Sequence, residues 1–192
     1  MAEKLTLARA KQINAQHVKA PHLITHALAV SAAMGAMAGH FGADRDHWQA
    51  IGYLHDVDYE AYPEAHLQHT EEFLAPEGVD QADIRAILSH GWGLCSQVEP
   101  QTDLEKSLFT VDELTGIIQA AALMRPTGIS DMTVKSGMKK FKDKKFAAGC
   151  SRDVIRQGCE MLGMEVSEVM AICIDGMKAC MDELGLGPKE QV

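Results

Sequence analysis

Basic residues are in short supply in this chain, with 18 Lys and Arg against 27 Asp and Glu and a net charge of −9. That balance disfavours binding nucleic acid through the surface at large. Long apolar runs are missing as well. The longest, from Ala27 to Gly39, spans 13 residues and is rich in alanine and glycine, short of the ~20 needed to cross a bilayer. The first residues hold no apolar signal core, so no membrane association is expected. Cysteines are few. Cys95, Cys150, Cys159, Cys173 and Cys180 form no CxxC pair, and an odd number cannot all pair within one chain. They read as small buried hydrophobes of a cytoplasmic protein. There is no GxGxxG, no P-loop, no repeat and no low-complexity tract. No alternating apolar pattern exceeds four residues, which argues against strands.

What is present is a helical chain of ordinary globular composition, 46% hydrophobic and 23% charged over 192 residues, long enough for one domain with a real core. Leu23, Ala27, Val30, Met34, Met37 and Phe41 recur at helical steps until Gly42. Asp44 or Asp46 can cap a second helix in which Trp48, Ile51 and Leu54 point inward. Pro63 marks a turn, and Glu64 to Leu74 is expected as a short helix. Asp80 caps a helix to His90; Gly91, Gly93 and Pro100 make a loop. Leu104, Leu108, Val111, Thr115 and Ile118 form the longest stripe. Two amphipathic helices, Ser151–Leu162 and Ser167–Leu184 ended by Gly185, are expected to cover the core or form the face of a homodimer.

Histidines and aspartates fall at spacings that suit one buried metal site. His55 and Asp56 are adjacent, His26 lies 29 residues upstream, His66 and His90 follow, and Asp112 closes the set. Imidazole and carboxylate together suit first-row transition metals, magnesium or manganese. No thiol is needed, and none lies near the doublet in sequence. Asp112 stands one turn from Leu108 and Thr115, on the core side of its helix, where an unpaired carboxylate would be costly and a metal would be its partner. His17, His22, His40 and His47 fall at helix ends or on polar faces. His69 is three residues from His66 on the same expected helix, and His66 is preferred as the ligand.

The order H … HD … H … H … D resembles the fingerprint of the HD-domain metal-dependent phosphohydrolases, from about His22 to Asp112. Thr25-His26-Ala27-Leu28-Ala29-Val30, Leu54-His55-Asp56, His66 eight residues before Leu74, and Ala86-Ile87-Leu88-Ser89-His90 carry the likeness. Val111-Asp112-Glu113-Leu114-Thr115-Gly116 is similar to the last ligand segment of a bacterial HDIG-like subgroup, although the Ile-Gly positions of the common form read Val57-Asp58 here. The resemblance implies an all-α fold: an HD-domain helical bundle with additional C-terminal helices. It forms one domain over 1–192, with a metal-binding core at about 22–125 and a basic segment and covering helices at 126–192.

The resemblance also implies one or two divalent ions per chain, of Mn, Fe, Mg, Co or Ni. The first ion would be held by His26, His55, Asp56 and Asp112. Asp56 would bridge to a second at His66 and His90, and a metal-activated hydroxide would attack a small phosphorylated metabolite or nucleotide. Asp58 or Glu60, just past the doublet, is a candidate proton shuttle. Residues 133–152 carry seven basic groups and only Asp143 as an acid, a net of +6 that leaves −15 on the remainder. This cluster is either a solvated loop face or a phosphate-binding rim, with Lys139, Lys140 and Arg152 as candidates. Two other classes fit the same ligands: a di-iron oxygenase and a metal-binding sensor without turnover.

Overall fold

Capping residues and glycines set the helix limits in the computed structural model, which describes residues 4–189. Thr6 accepts the Arg9 amide at the start of α1 (Leu7–His17). Pro21 opens α2 (Pro21–Phe41), where its missing N–H costs nothing, and Gly42 closes it in the left-handed conformation. Asp44 accepts the His47 amide ahead of α3 (Arg45–Leu54). A 3-10 turn at Pro63–Ala65 and the five-residue α4 (Thr70–Leu74) follow. A second 3-10 turn at Ala75–Glu77 leads to Asp80, which caps α5 (Gln81–Ser89). Thr102 and Glu105 form a capping box for α6 (Asp103–Leu123), an arrangement worth ~1 kcal/mol per satisfied cap. The chain ends in α7 (Val134–Lys142), α8 (Arg152–Leu162) and α9 (Val166–Lys178). The fold is all-α. Among the described residues there is no strand, and a lone bridge joins Trp92 and Ser96.

The longest helices form the centre. α2 packs on α3, α6 and α9, and α6 packs on α8. By length and composition α2 could cross a membrane, yet ten of its residues are buried inside this bundle. Close approach depends on missing side chains. A methyl group on Gly52 of α3 would lie 3.1 Å from the Val30 carbonyl of α2, and one on Gly158 of α8 would fall 2.0 Å from Thr110 Oγ1 of α6. Both pairs of helices therefore pack closer than an alanine would allow. That closeness fixes α3, and the His55-Asp56 turn at its end, against α2.

The structure departs from the sequence expectations in three places. The 64–74 segment is not one helix: Leu67 takes φ 68°, which stops helical continuation, and a new helix starts only at Thr70. Part of the basic segment is the helix α7 rather than a loop. The last helix ends at Lys178, and turns carry the chain on to Gly185. The helices α8 and α9 cover the core, α8 on α6 and α9 on α2.

Candidate metal centre

Six side chains from five separate stretches meet at one end of α2. His26 comes from the second turn of α2, and His55 is the residue that ends α3. Asp56 follows in the turn, and His66 sits in the loop between the 3-10 turn and α4. His90 ends α5, and Asp112 lies in the middle of α6. Helix ends suit this task because they let neighbouring side chains leave the helix face together.

Asp56 divides the cluster. Its Oδ2 lies 3.3 Å from His55 Nε2 and 3.5 Å from His26 Nε2. Asp112 Oδ1 joins the same group, 2.9 Å from His26 Nε2 and 3.4 Å from His55 Nε2, and the two imidazole nitrogens are 3.1 Å apart. Asp56 Oδ1 faces the other way, 3.2 Å from His66 Nε2 and 3.6 Å from His90 Nε2. Those two nitrogens are 3.2 Å apart. Donors ~2.1 Å from a shared ion stand about 3.0–3.4 Å from one another in octahedral or tetrahedral geometry. The first group meets that test closely, and the second meets it in two of its three separations. Two triads, His26–His55–Asp112 and His55–Asp56–His90, each bring one donor atom per residue within 4.8 Å of one another. The donor set therefore fits a divalent metal.

Hydrogen bonds behind the cluster aim the imidazoles. His55 Nδ1 donates to the Gly52 carbonyl at 2.8 Å, and His90 Nδ1 to the Ile87 carbonyl at 2.7 Å. His66 Nδ1 donates to Asp58 Oδ1 at 2.8 Å. In all three the proton sits on Nδ1, so the Nε2 lone pair is turned toward the cluster, the arrangement in which outer partners fix metal-binding histidines. Leu67, next to His66, is buried with its side chain against Gly91, where an added methyl group would fall 2.4 Å from Leu67 Cδ1. A bulky residue with positive φ is held only by its surroundings, and here the surroundings are those that place His66 and His90.

Charge is concentrated to match. Burial alone would raise the Asp112 pKa, but hydrogen bonds from His26 and His55 hold it well below the usual carboxylate range. Asp56 is likewise drawn well down despite burial, chiefly by the His55 charge. Burial pulls His55 down, yet the Asp56 charge and the Asp112 hydrogen bond carry it well above its ordinary value. His66 follows the same pattern: its hydrogen bonds to Asp56 and Asp58 outweigh burial and push it up to about 9. These directions describe a site waiting for positive charge, filled by protons when nothing else supplies it.

An open cavity of about 380 Å³ lies over the cluster, walled also by Tyr59, Leu94, Cys95, Glu113, Gly116 and Cys150. The two thiols and Glu113 have no counterpart among the sequence expectations. Glu113, beside Asp112, carried the only signal, being a second acid in the same ligand segment. Both thiols are pushed up, Cys150 by burial to about 11, and Cys95 by partial burial of its sulfur and the charges of Asp56, Asp58 and Asp112, although Cys95 is exposed and not the buried hydrophobe expected.

Several expected roles are corrected. Asp58 does not face the cavity as a proton shuttle. It is fully buried, and besides His66 it accepts the His69 amide at 3.2 Å and the Thr70 hydroxyl at 3.0 Å. Glu60 accepts the Lys19 and Ala20 amides at the entrance to α2. Arg152 is no phosphate ligand: its guanidinium is buried and donates to the carbonyls of Phe141, Asp143, Phe146, Ala147 and Cys150, folding that loop around itself. Lys139 lines a different surface hollow with Thr133, Lys135, Met138 and Lys142. The Lys140 ammonium rests 4.5 Å from the centre of the Phe146 ring. Neither lysine lines the cavity over the cluster. His69 turns away to pair with Glu72 and stack on Tyr62.

The family model of the HD domain matches residues 23–116, a span that holds all six donors. The chain therefore belongs to the HD-domain superfamily, whose members are in general metal-dependent phosphohydrolases. Neither the curated proteins nor the solved structures contain a match to it.

Proposed function

We propose that this protein is a metal-dependent phosphohydrolase that cleaves a phosphomonoester or phosphodiester of a small metabolite or nucleotide with the help of two divalent ions. The observation that carries the reading is the division of Asp56, with Oδ2 among His26, His55 and Asp112 and Oδ1 toward His66 and His90. The first group would hold one ion and the second group another, drawn from Mn, Fe, Mg, Co or Ni by the donor chemistry. Such a pair, when bound, lowers the pKa of water and withdraws charge from phosphoryl oxygens.

The chain's own residues prepare that chemistry. The Gly52 and Ile87 carbonyls and the Asp58 carboxylate fix three imidazoles in the donor tautomer. Asp58 is thus a positioning residue for His66. Five of the six donors line the cavity, with His55 buried behind them, and Tyr59, Leu94 and Glu113 line the space left for substrate. The partners in this reading are a small phosphorylated substrate and a second copy of the chain in a homodimer, with neither nucleic acid nor membrane involved. A cytoplasmic site of action agrees with five unpaired cysteines.

The test is elemental analysis of the purified protein together with a panel of phosphomonoesters and phosphodiesters, run with and without oxygen. Hydrolysis without oxygen in the presence of manganese, magnesium or cobalt is expected. Turnover that requires both iron and oxygen would make the protein an oxygenase. A fully loaded protein that turns over no substrate would be a binding module.

A further inference from the structure

The cavity over the donors is poor in positive charge. Among the described residues no lysine or arginine lines it. The lysine-rich helix α7 lines another hollow, and the one buried guanidinium nearby, that of Arg152, is consumed by main-chain carbonyls. In their place the wall offers a carboxylate. Glu113 sits one residue past Asp112 and is half-buried. Its Oε2 accepts the Ser151 amide at 2.8 Å, which pins the side chain and leaves the other oxygen for the cavity. The rest of the wall is neutral: the Tyr59 ring, the Leu94 side chain and two thiols.

Charge counting then constrains the substrate. Asp56, Asp58, Asp112 and Glu113 already balance the four charges of two divalent ions. One phosphoryl dianion leaves the site negative. Each further anionic group would enter an open but negative cavity beside Glu113 with no cation to meet it, and like charges a few ångströms apart near a protein surface repel.

Resting on the hydrolase reading above, we infer that the substrate carries a single phosphoryl group on a remainder that is uncharged or cationic, and that Glu113 takes a donor, an ammonium or hydroxyl, on that remainder. Polyphosphates and phosphorylated carboxylic acids are disfavoured. Glu113 here is a specificity-determining residue, and Tyr59 and Leu94 supply apolar contact elsewhere on the wall.

Three probes of equal length separate the effect of charge from that of shape: propyl phosphate, phosphoethanolamine and phosphoglycolate, whose far ends are a methyl, an ammonium and a carboxylate. Each is measured on the manganese-loaded protein by kcat/KM and by calorimetric binding. Phosphoethanolamine should exceed phosphoglycolate by about tenfold or more, with propyl phosphate between them, as expected for one charge contact at a partly buried site. In Glu113→Gln, which keeps an oxygen for the Ser151 amide, the ratio of phosphoethanolamine to phosphoglycolate should contract several-fold toward one at unchanged metal content. A preference for phosphoglycolate or ADP in the unmutated protein overturns the inference, and so does a ratio that survives in Glu113→Gln. If no ester is hydrolysed, the hydrolase reading fails, and the calorimetric order still decides the charge claim. Hydrolysis with the order reversed sinks the charge claim alone.

Discussion

The His26–His55–Asp112 side of the cluster and the His66–His90 side are built from different material. His26 and Asp112 project from the two 21-residue helices, α2 and α6, which pack on each other. His55 is wholly buried at the end of α3. By contrast, His66 stands in a loop, beside a residue in the left-handed region, and is oriented by a single carboxylate. The donor separations overlap, 2.9–3.5 Å on the helical side and 3.2–3.6 Å on the other, so the difference lies in the scaffold and not in the spacing. Rigid helices deliver a preorganised group of donors, and a loop delivers one that must be held. The helical side should bind its ion more tightly and exchange it more slowly.

The sharpest way to break the comparison is to remove what the two sides share. Asp56→Ala should abolish hydrolysis and take bound metal from about two ions per chain to near none, while circular dichroism stays helical. Full metal content in that variant would sink the assignment. The next effect in size distinguishes the sides. His66→Ala and His90→Ala should each remove about one ion per chain and keep the other, read by elemental analysis. An unchanged stoichiometry in both would return these histidines to the core.

Acidity should act on the loop side third. In the metal-free protein His66 holds its proton up to about pH 9, so an ion must displace that proton to bind. Apparent affinity should therefore climb by about tenfold per pH unit from pH 7 toward 9. The sign for stability is the reverse. A histidine raised above its ordinary value stabilises the metal-free fold fully below ~6.5, and that contribution is lost as pH passes the raised value. Thermal melts with chelator present should accordingly fall across that window. A flat metal affinity between pH 7 and 9 would show that His66 carries no proton to displace.

Asp58→Asn should weaken the ion on the loop side by about 10–100-fold, the usual loss when an outer partner of a histidine ligand is removed, and leave the helical side unchanged. Smallest of all, the triple change of Lys139, Lys140 and Lys142 to Gln should alter kcat and KM by less than about twofold at physiological salt, because none of the three lines the cavity and exposed charges beyond a Debye length of ~8 Å are screened. A large rise in KM would bring the lysine face back to the substrate.

Much of the helical side was legible in the sequence. Asp112 gives itself away by falling on the core stripe of a long helix, where a carboxylate needs company. Gly42, Asp44 and Asp80 mark helix ends by local chemistry alone. The loop side was harder to read because long-range packing decides it. Nothing in residues 64–74 announces that Leu67 will be forced into a left-handed turn against Gly91, and the periodicity there still looks helical. Arg152 misled for a related reason. A basic residue in a basic segment suggests a phosphate, but the fold closes the 141–150 loop around its guanidinium, whose planar fork satisfies carbonyls from five residues at once. Cys95 and Cys150 are far from the doublet in sequence; the packing of α8 on α6 brings Cys150 to the cavity, and the turn after His90, in which the Cys95 amide donates to the Gly91 carbonyl, brings Cys95.

The division of Asp56 between two donor groups also has a thermodynamic consequence. A ligand shared by two ions makes their affinities a single linked quantity. Whatever factor an ion among His26, His55 and Asp112 imposes on binding at His66 and His90, an ion there must impose in return. The half-filled protein is therefore a distinct chemical species rather than an average of empty and full. With two ions bound as proposed, chelation from the loop side would change how firmly the helical side keeps its ion, with no movement of the backbone required.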